Sequence, residues 1–294
     1  MVRVQVWAFG AITIVGLCAS LTLTAPIAGK LGASDSVNPN VSPADDLGQL
    51  SIPDGAEQRY GKERPLGDVV ERCHQYLVDG EVVGERLFYK NGQLADEKLF
   101  RNKKLHGYWR QFHLNGQPFA ERPYRDGLPD GIFRFWDENG KLLGESTLTK
   151  GTGLLSEFEK RELACGRYDT PYIDGRIHGK RKRWGNFDGT TKRGCNVTTF
   201  NRGVMEGWTY LLDDDGTLLA YSYIREGQLH GVSRKVTQNG ENVGGYPKYW
   251  IAGKEVSEGQ LRDAAKSDKI LALTLTSKPD VEVPNVKRRD ANRP

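Results

Sequence analysis

Three histidines, His106, His178 and His230, each stand directly before a glycine, in Leu-His-Gly107, Ile-His-Gly179 and Leu-His-Gly231. Imidazoles recurring at one position could form a metal ladder. One metal ion needs its ligands within a few ångströms of one another. Equivalent positions in successive β-hairpins lie about 10 Å apart, so turn formation beside glycine accounts better for these residues. Asp213-Asp214-Asp215-Gly216 lacks the alternating ligands and distant glutamate of a calcium loop and reads as a hairpin turn. None of the four cysteines lies in a Cys-x-x-Cys arrangement, which leaves zinc and thioredoxin-type redox chemistry without support. Cys165 and Cys195, beside Gly166 and Gly194, are candidates for a disulfide; Cys73 is a buried thiol or a competitor for one of them. There is no phosphate-loop pattern and no Gly-x-Ser-x-Gly elbow, and no spacing singles out a pair of carboxylates. We expect no catalytic residue, metal or cofactor, and therefore a non-enzymatic protein.

The remaining candidates are for binding. Lys180-Arg181-Lys182-Arg183, followed by Trp184, is the densest basic cluster. It reads either as a solvated strand face or as a site for anionic lipid or an acidic wall polymer. Trp109, Trp136, Trp208 and Tyr210 recur among the repeats described below, as core or as exposed platforms for glycan or peptide. A net charge of +4 is too small to imply nucleic acid, and none is expected as a partner. The expected partner is a protein or a membrane or cell-envelope component, with no small-molecule cofactor.

These residues sit in a degenerate repeat of about two dozen residues between Gly84 and Gly253. The clearest copies run Gly107–Gly116, Gly131–Gly140 and Gly207–Gly216, with a weaker one at Gly231–Gly240. Such a period marks stacked supersecondary units, none able to bury its apolar face alone. Asn-Gly pairs at 91–92, 115–116, 139–140 and 239–240 suit tight hairpin turns, because both residues tolerate positive φ. Leu142 and Leu148, an even number of residues apart, are expected on one inward face. The aromatic spacing of three in Trp109/Phe112 and Phe133/Trp136 breaks alternation and predicts a bulge. The fold class is all-β: an elongated antiparallel sheet of stacked β-hairpin repeats.

Flanking segments complete the organisation. Arg3 precedes an uncharged run from Val4 to Ala28, read as a signal peptide or membrane anchor (1–28), which places the rest outside the cytoplasm. Residues 29–66 are rich in Ser, Pro, Asp and Gly and read as a disordered linker. The repeat domain spans 67–253. Ser257-Glu-Gly-Gln260 resembles a capping box, so 254–276 reads as a short capping helix with an extension. Residues 277–294 read as a disordered basic tail.

The pattern Gly-x-Trp-x-x-Phe-x-x-x-Gly, then an apolar pair, then Tyr-x-x-Gly-x-x-x-Gly, resembles the MORN repeat variant of many bacterial proteins. The resemblance is strong over 92–151 and 203–240. It implies a β-hairpin array used for scaffolding or lipid binding, often described as antitoxin-like, and it brings no catalytic residues. The reading is an exported repeat protein presenting a binding surface. An antitoxin or immunity protein that masks a toxin is the first alternative, and an envelope glycan-binding accessory or hydrolase the second.

Overall fold

The computed structural model describes residues 47, 50–60, 70–159, 166–186 and 193–281, all within one compact unit, Val41–Pro294. The expected signal or anchor at 1–28 lies outside the described residues, as does the tail beyond 281. No described helix is long and apolar enough to cross a membrane.

Antiparallel strands follow one another in chain order. The first sheet comprises β1 (Glu57–Tyr60), β2 (Val70–Val78), β3 (Glu81–Tyr89), β4 (Leu94–Arg101), β5 (Lys104–Leu105), β6 (Gly107–Phe112), β7 (Pro118–Arg125), β8 (Leu128–Pro129), β9 (Gly131–Trp136) and β10 (Leu142–Leu148). The second comprises β11 (Gly153–Phe158), β12 (Arg167–Ile173), β13 (Arg176–Ile177), β14 (Gly179–Asn186), β15 (Arg193–Asn201), β16 (Val204–Asp213), β17 (Leu218–Arg225), β18 (Gln228–Leu229), β19 (Gly231–Lys235), β20 (Lys248–Ile251) and β21 (Lys254–Val256). The single continuous sheet expected from sequence is thus divided. Between β10 and β11 only an isolated bridge, Thr149 to Thr152, remains. The Ser156 N–H donates to the Ser146 side-chain oxygen at 2.9 Å, so a side chain takes the place of a backbone acceptor there.

Two kinds of turn alternate. At the Asn-Gly sites only glycine takes positive φ, as at Gly92 and Gly116; Asn91 and Asn115 instead accept the N–H of Gln93 and Gln117 through their side chains. The two-residue turns with positive φ at both positions lie in the connectors, for example Asp126-Gly127, Asp174-Gly175 and Glu226-Gly227. Each turn hangs on the preceding unit. Gly127 N–H donates to Leu105, Gly151 to Pro129, Gly203 to Ile177, Gly227 to Met205 and Gly253 to Leu229.

The residue before each opening glycine reinforces this. His106 Nδ1 accepts the Asp126 N–H at 3.1 Å, His178 Nδ1 that of Arg202 at 3.4 Å, and His230 Nδ1 that of Ala252 at 3.3 Å. Asp130 and Glu206 do the same for Lys150 and Glu226. The recurring position is a side-chain acceptor for the next turn, which explains why His, Asp and Glu interchange there.

Bulges fall where the aromatic spacing predicts them, with register shifts at Gln111/Phe112 and at Leu142/Gly144 opposite Trp136 and Phe135. They also overturn one expectation. Leu148 is buried while Leu142 is exposed, because the bulge between them reverses the alternation.

Part of the expected linker is ordered. Residues 57–60 form β1, Leu47 is buried, and Ile52 lies so close over Gly84 that a β-carbon there would meet it at 2.6 Å. At the other end Ser257 and Gln260 form the expected capping box of α1 (Glu258–Ala264). A second helix, α2 (Lys269–Thr276), follows it, capped by Asp268. Leu261 and Leu271 bury against Val232 and close the last strands. Val281, at the start of the expected basic tail, packs on the core of the second sheet.

Candidate binding surface

Strand registry places the charged side chains. Across the first sheet Arg86, Glu97, Arg110, Glu121, Arg134 and Glu145 stand directly opposite one another on six consecutive strands of the sheet order. Contacts of 2.8 Å (Arg86–Glu97), 3.4 Å (Arg110–Glu97), 3.3 Å (Arg110–Glu121) and 3.6 Å (Arg134–Glu145) make this a self-neutralising ladder. The opposite face carries Leu87, Ala120 and Phe135 in the core.

At the joint between the sheets, Phe133, Phe135, Leu148 and Leu155 form one cluster against which Phe158 and Tyr172 pack. Arg122 stacks on Trp109 at 4.9 Å and on Phe135 at 5.0 Å, and its Nε lies 3.4 Å from the Glu157 carboxylate.

The aromatic residues singled out from sequence are distributed differently from a row of platforms. Trp109 is half-buried between Lys98 and Arg122, and its Nε1 donates to Asp96 at 2.7 Å. Trp136 is half-buried, and its carbonyl accepts from His113 Nε2. Trp208 packs edge-on against Tyr221 and Tyr223. Tyr210 is core rather than an exposed platform: only 2% exposed, it lies with Cys195, Val197 and Leu212, which removes it from the candidate binding surface. Phe133 and Phe135 stand two and four residues after their opening glycine, whereas Tyr210 and Leu212 stand three and five after theirs. β9 and β16 therefore bury opposite strand faces of the repeat. Cys195 is a buried free thiol whose pKa burial pushes up to about 12; Cys165, its candidate partner, lies outside the described residues.

The basic cluster Lys180–Arg183 forms the first half of β14, where the pleat sends Lys180 and Lys182 to one face and Arg181 and Arg183 to the other. Opposite these four cations on β15 stand Thr199, Thr198, Val197 and Asn196, none of them charged. Arg183 reaches the Glu159 carboxylate at 3.1 Å, and the same carboxylate accepts from the Tyr168 hydroxyl at 2.5 Å. Burial and that carboxylate push the Tyr168 phenol up to about 12. Arg181 lies over the rings of Tyr168 and Phe200 at 5.8 and 5.2 Å. A separate depression at the turn edge is lined by Ile173, Asp174, Arg176 and Arg202. Among the described residues no three His, Cys, Asp or Glu side chains converge as for a metal ion.

Sequence reasoning missed the joint residues Arg122, Glu157, Tyr124 and Tyr172, because strands far apart in the chain bring them together. The connector acceptors could have been found from the invariant following glycine and the shared chemistry of His, Asp and Glu.

A chain of antiparallel hairpins, each docked on the last by its connector turn, is a β-hairpin repeat protein. The MORN repeat variant matches residues 105–126 and 129–149, which span β5 to β10 and their turns, so the chain carries MORN repeats there. Repeats of this kind are generally binding modules. No curated protein matches the chain.

Proposed function

We propose that this is an exported, non-enzymatic repeat protein whose second sheet binds an anionic component of the cell envelope, a lipid headgroup or an acidic polymer. The carrying observation is the contrast between the two sheets. In the first, every arginine of the ladder meets a glutamate across the strand. On β14 four cations stand side by side along one strand, with uncharged residues opposite them on β15 and Asp169 of β12 opposite Lys182, rather than alternating with glutamates as in the ladder. The apolar run after Arg3 supports export and a position at or beyond the membrane.

The test is co-sedimentation of the whole chain with vesicles of anionic or zwitterionic lipid, and with an acidic or neutral polysaccharide. Binding to an anionic probe should weaken with added salt and fall in a K180Q/K182Q/R183Q variant. Equal binding to neutral and anionic probes would refute the reading.

A further inference from the structure

Successive connector turns line one edge of the array, because each is hydrogen-bonded to a neighbouring connector. Gly151 N–H donates to Pro129 O, Gly175 N–H to Gly151 O and Gly203 N–H to Ile177 O. Between Leu128 and Val204 this edge combines exposed aliphatic side chains with unpaired cations. Leu128 lies against Gly175, where a β-carbon would meet its Cδ2 at 2.6 Å. Ile173 directly precedes the Asp174-Gly175 turn and Val204 directly follows the Arg202-Gly203 turn; all three aliphatics are exposed. Lys150, Arg176 and Arg202 are exposed as well, and none makes an ion pair with a described residue. Elsewhere on the same edge Arg101 has Asp126 at 2.9 Å, Lys103 has Glu81 at 3.8 Å and Arg225 has Asp268 at 2.9 Å. Arg176 and Arg202 line one depression with Ile173 and Asp174, whose single carboxylate leaves that lining net positive. A lone exposed aliphatic residue needs no explanation, but these stand together on adjoining turns beside cations that nothing else neutralises.

We propose that this connector edge seats the protein on an anionic lipid bilayer. The inference rests on the reading of an envelope-facing chain with an anionic ligand, and it places the lipid contact at a site separate from β14. The aliphatic side chains decide between lipid and polymer. A hydrated polyanion would neutralise Lys150, Arg176 and Arg202 but leave Leu128, Ile173 and Val204 in water. At a bilayer surface the aliphatic groups enter the boundary between headgroups and acyl chains, while the cations meet lipid phosphates. Each guanidinium can donate two parallel N–H groups to one phosphate. Lys150 and Arg202, at φ +48° and +46°, stand at the turns themselves, so the array meets the membrane on its edge and both strand faces stay open.

The experiment is co-sedimentation of the full chain with phosphatidylglycerol-containing vesicles and with pure phosphatidylcholine vesicles. Calorimetric titration with polygalacturonate supplies the polymer arm. The anionic vesicles should bind at least about tenfold more tightly than the zwitterionic ones. K150N/R176Q/R202N, with asparagine at the two positive-φ positions, should weaken vesicle binding about a hundredfold, at about fivefold per cation. L128Q/I173Q/V204Q should weaken it about tenfold or more and leave polymer binding unchanged. R176Q/V204Q, confined to strand positions, should cost about tenfold and keeps the test valid if a triple variant fails to fold, which circular dichroism reports. Unchanged vesicle binding in these variants overturns the site, as does equal binding to phosphatidylcholine. If K180Q/K182Q/R183Q abolishes vesicle binding and the edge variants keep it, this site falls while the broader function stands. The same holds if the wild type binds polygalacturonate but no anionic vesicle; if it binds neither, both fall.

Discussion

His230 Nε2 lies 3.2 Å from Asp268 Oδ2, while Nδ1 of the same ring accepts the Ala252 N–H at 3.3 Å. One imidazole thus ties a connector, the next turn and the cap of α2 across 38 residues. Burial works to raise the Asp268 carboxyl, but N–H donation from Leu271 and Ile270 and the contact with His230 bring it below its ordinary value. H230A should cost about 1–2 kcal/mol by loss of these bonds. Paired with D268A in a double-mutant cycle by urea denaturation, it should show coupling of about 0.5 kcal/mol or more. Strict additivity would deny the link between repeat and helix.

His106 makes stability depend on pH. Burial first, then Arg101, holds its imidazole below the ordinary range; the Asp126 carboxylate pulls upward and is outweighed. As pH falls through about 6.5 the unfolded chain takes up this proton before the folded one does. Stability contributed by neutral His106 is therefore full above that pH and is lost as the pH drops towards the lower folded value. H106N keeps an acceptor without titrating. Denaturation midpoints between pH 7.5 and 5 should fall less steeply in H106N than in the wild type.

Gly231 has φ +110°, and a β-carbon there would collide with the Thr274 side chain of α2. G231A should destabilise by about 2 kcal/mol or more, from backbone strain and displacement of the helix. T274A in the same chain should restore part of that loss, the contact share but not the strain. Hydrogen exchange on 269–276 is the direct readout. No change in protection there would contradict the close approach.

Arg122 is the ionic link between the sheets, packed between Trp109 and Phe135 and only 8% exposed. R122A should cost about 2–4 kcal/mol, since both the stacking and the Glu157 partner are lost. E157Q, on a more exposed carboxylate, should cost about 1 kcal/mol or less. Equal losses would mean that the ion pair rather than the stacking governs this position.

Ile52 over Gly84 and Leu50 beside Gly107 hold the segment before β1 on the first sheet. I52D should release this strap and open residues 50–56 to limited proteolysis, leaving β6 to β10 protected. Cleavage there at the same rate in the wild type would restore the linker reading of this stretch.

The repeat, its glycine turns, the bulges at the three-residue aromatic spacing and the capping box of α1 were all legible in the chain, since each is a local matter of backbone geometry and neighbouring residues. Which side of a strand becomes core was not. Phe135 and Tyr210 occupy opposite faces of equivalent strands, and both are buried. A pleated strand offers two faces of nearly equal right, and only the packing partner selects one. The same holds for Arg181 and Lys182, adjacent in sequence and sent to opposite sides by the pleat. Ile52 belongs to a polar stretch that composition marks as unstructured; its place on Gly84 depends on a bare backbone that exists only once the hairpins have paired. Local chemistry therefore settled the units and their punctuation, whereas the break between sheets and the meeting of Arg122 with Glu157 arose from contacts between strands distant in the chain.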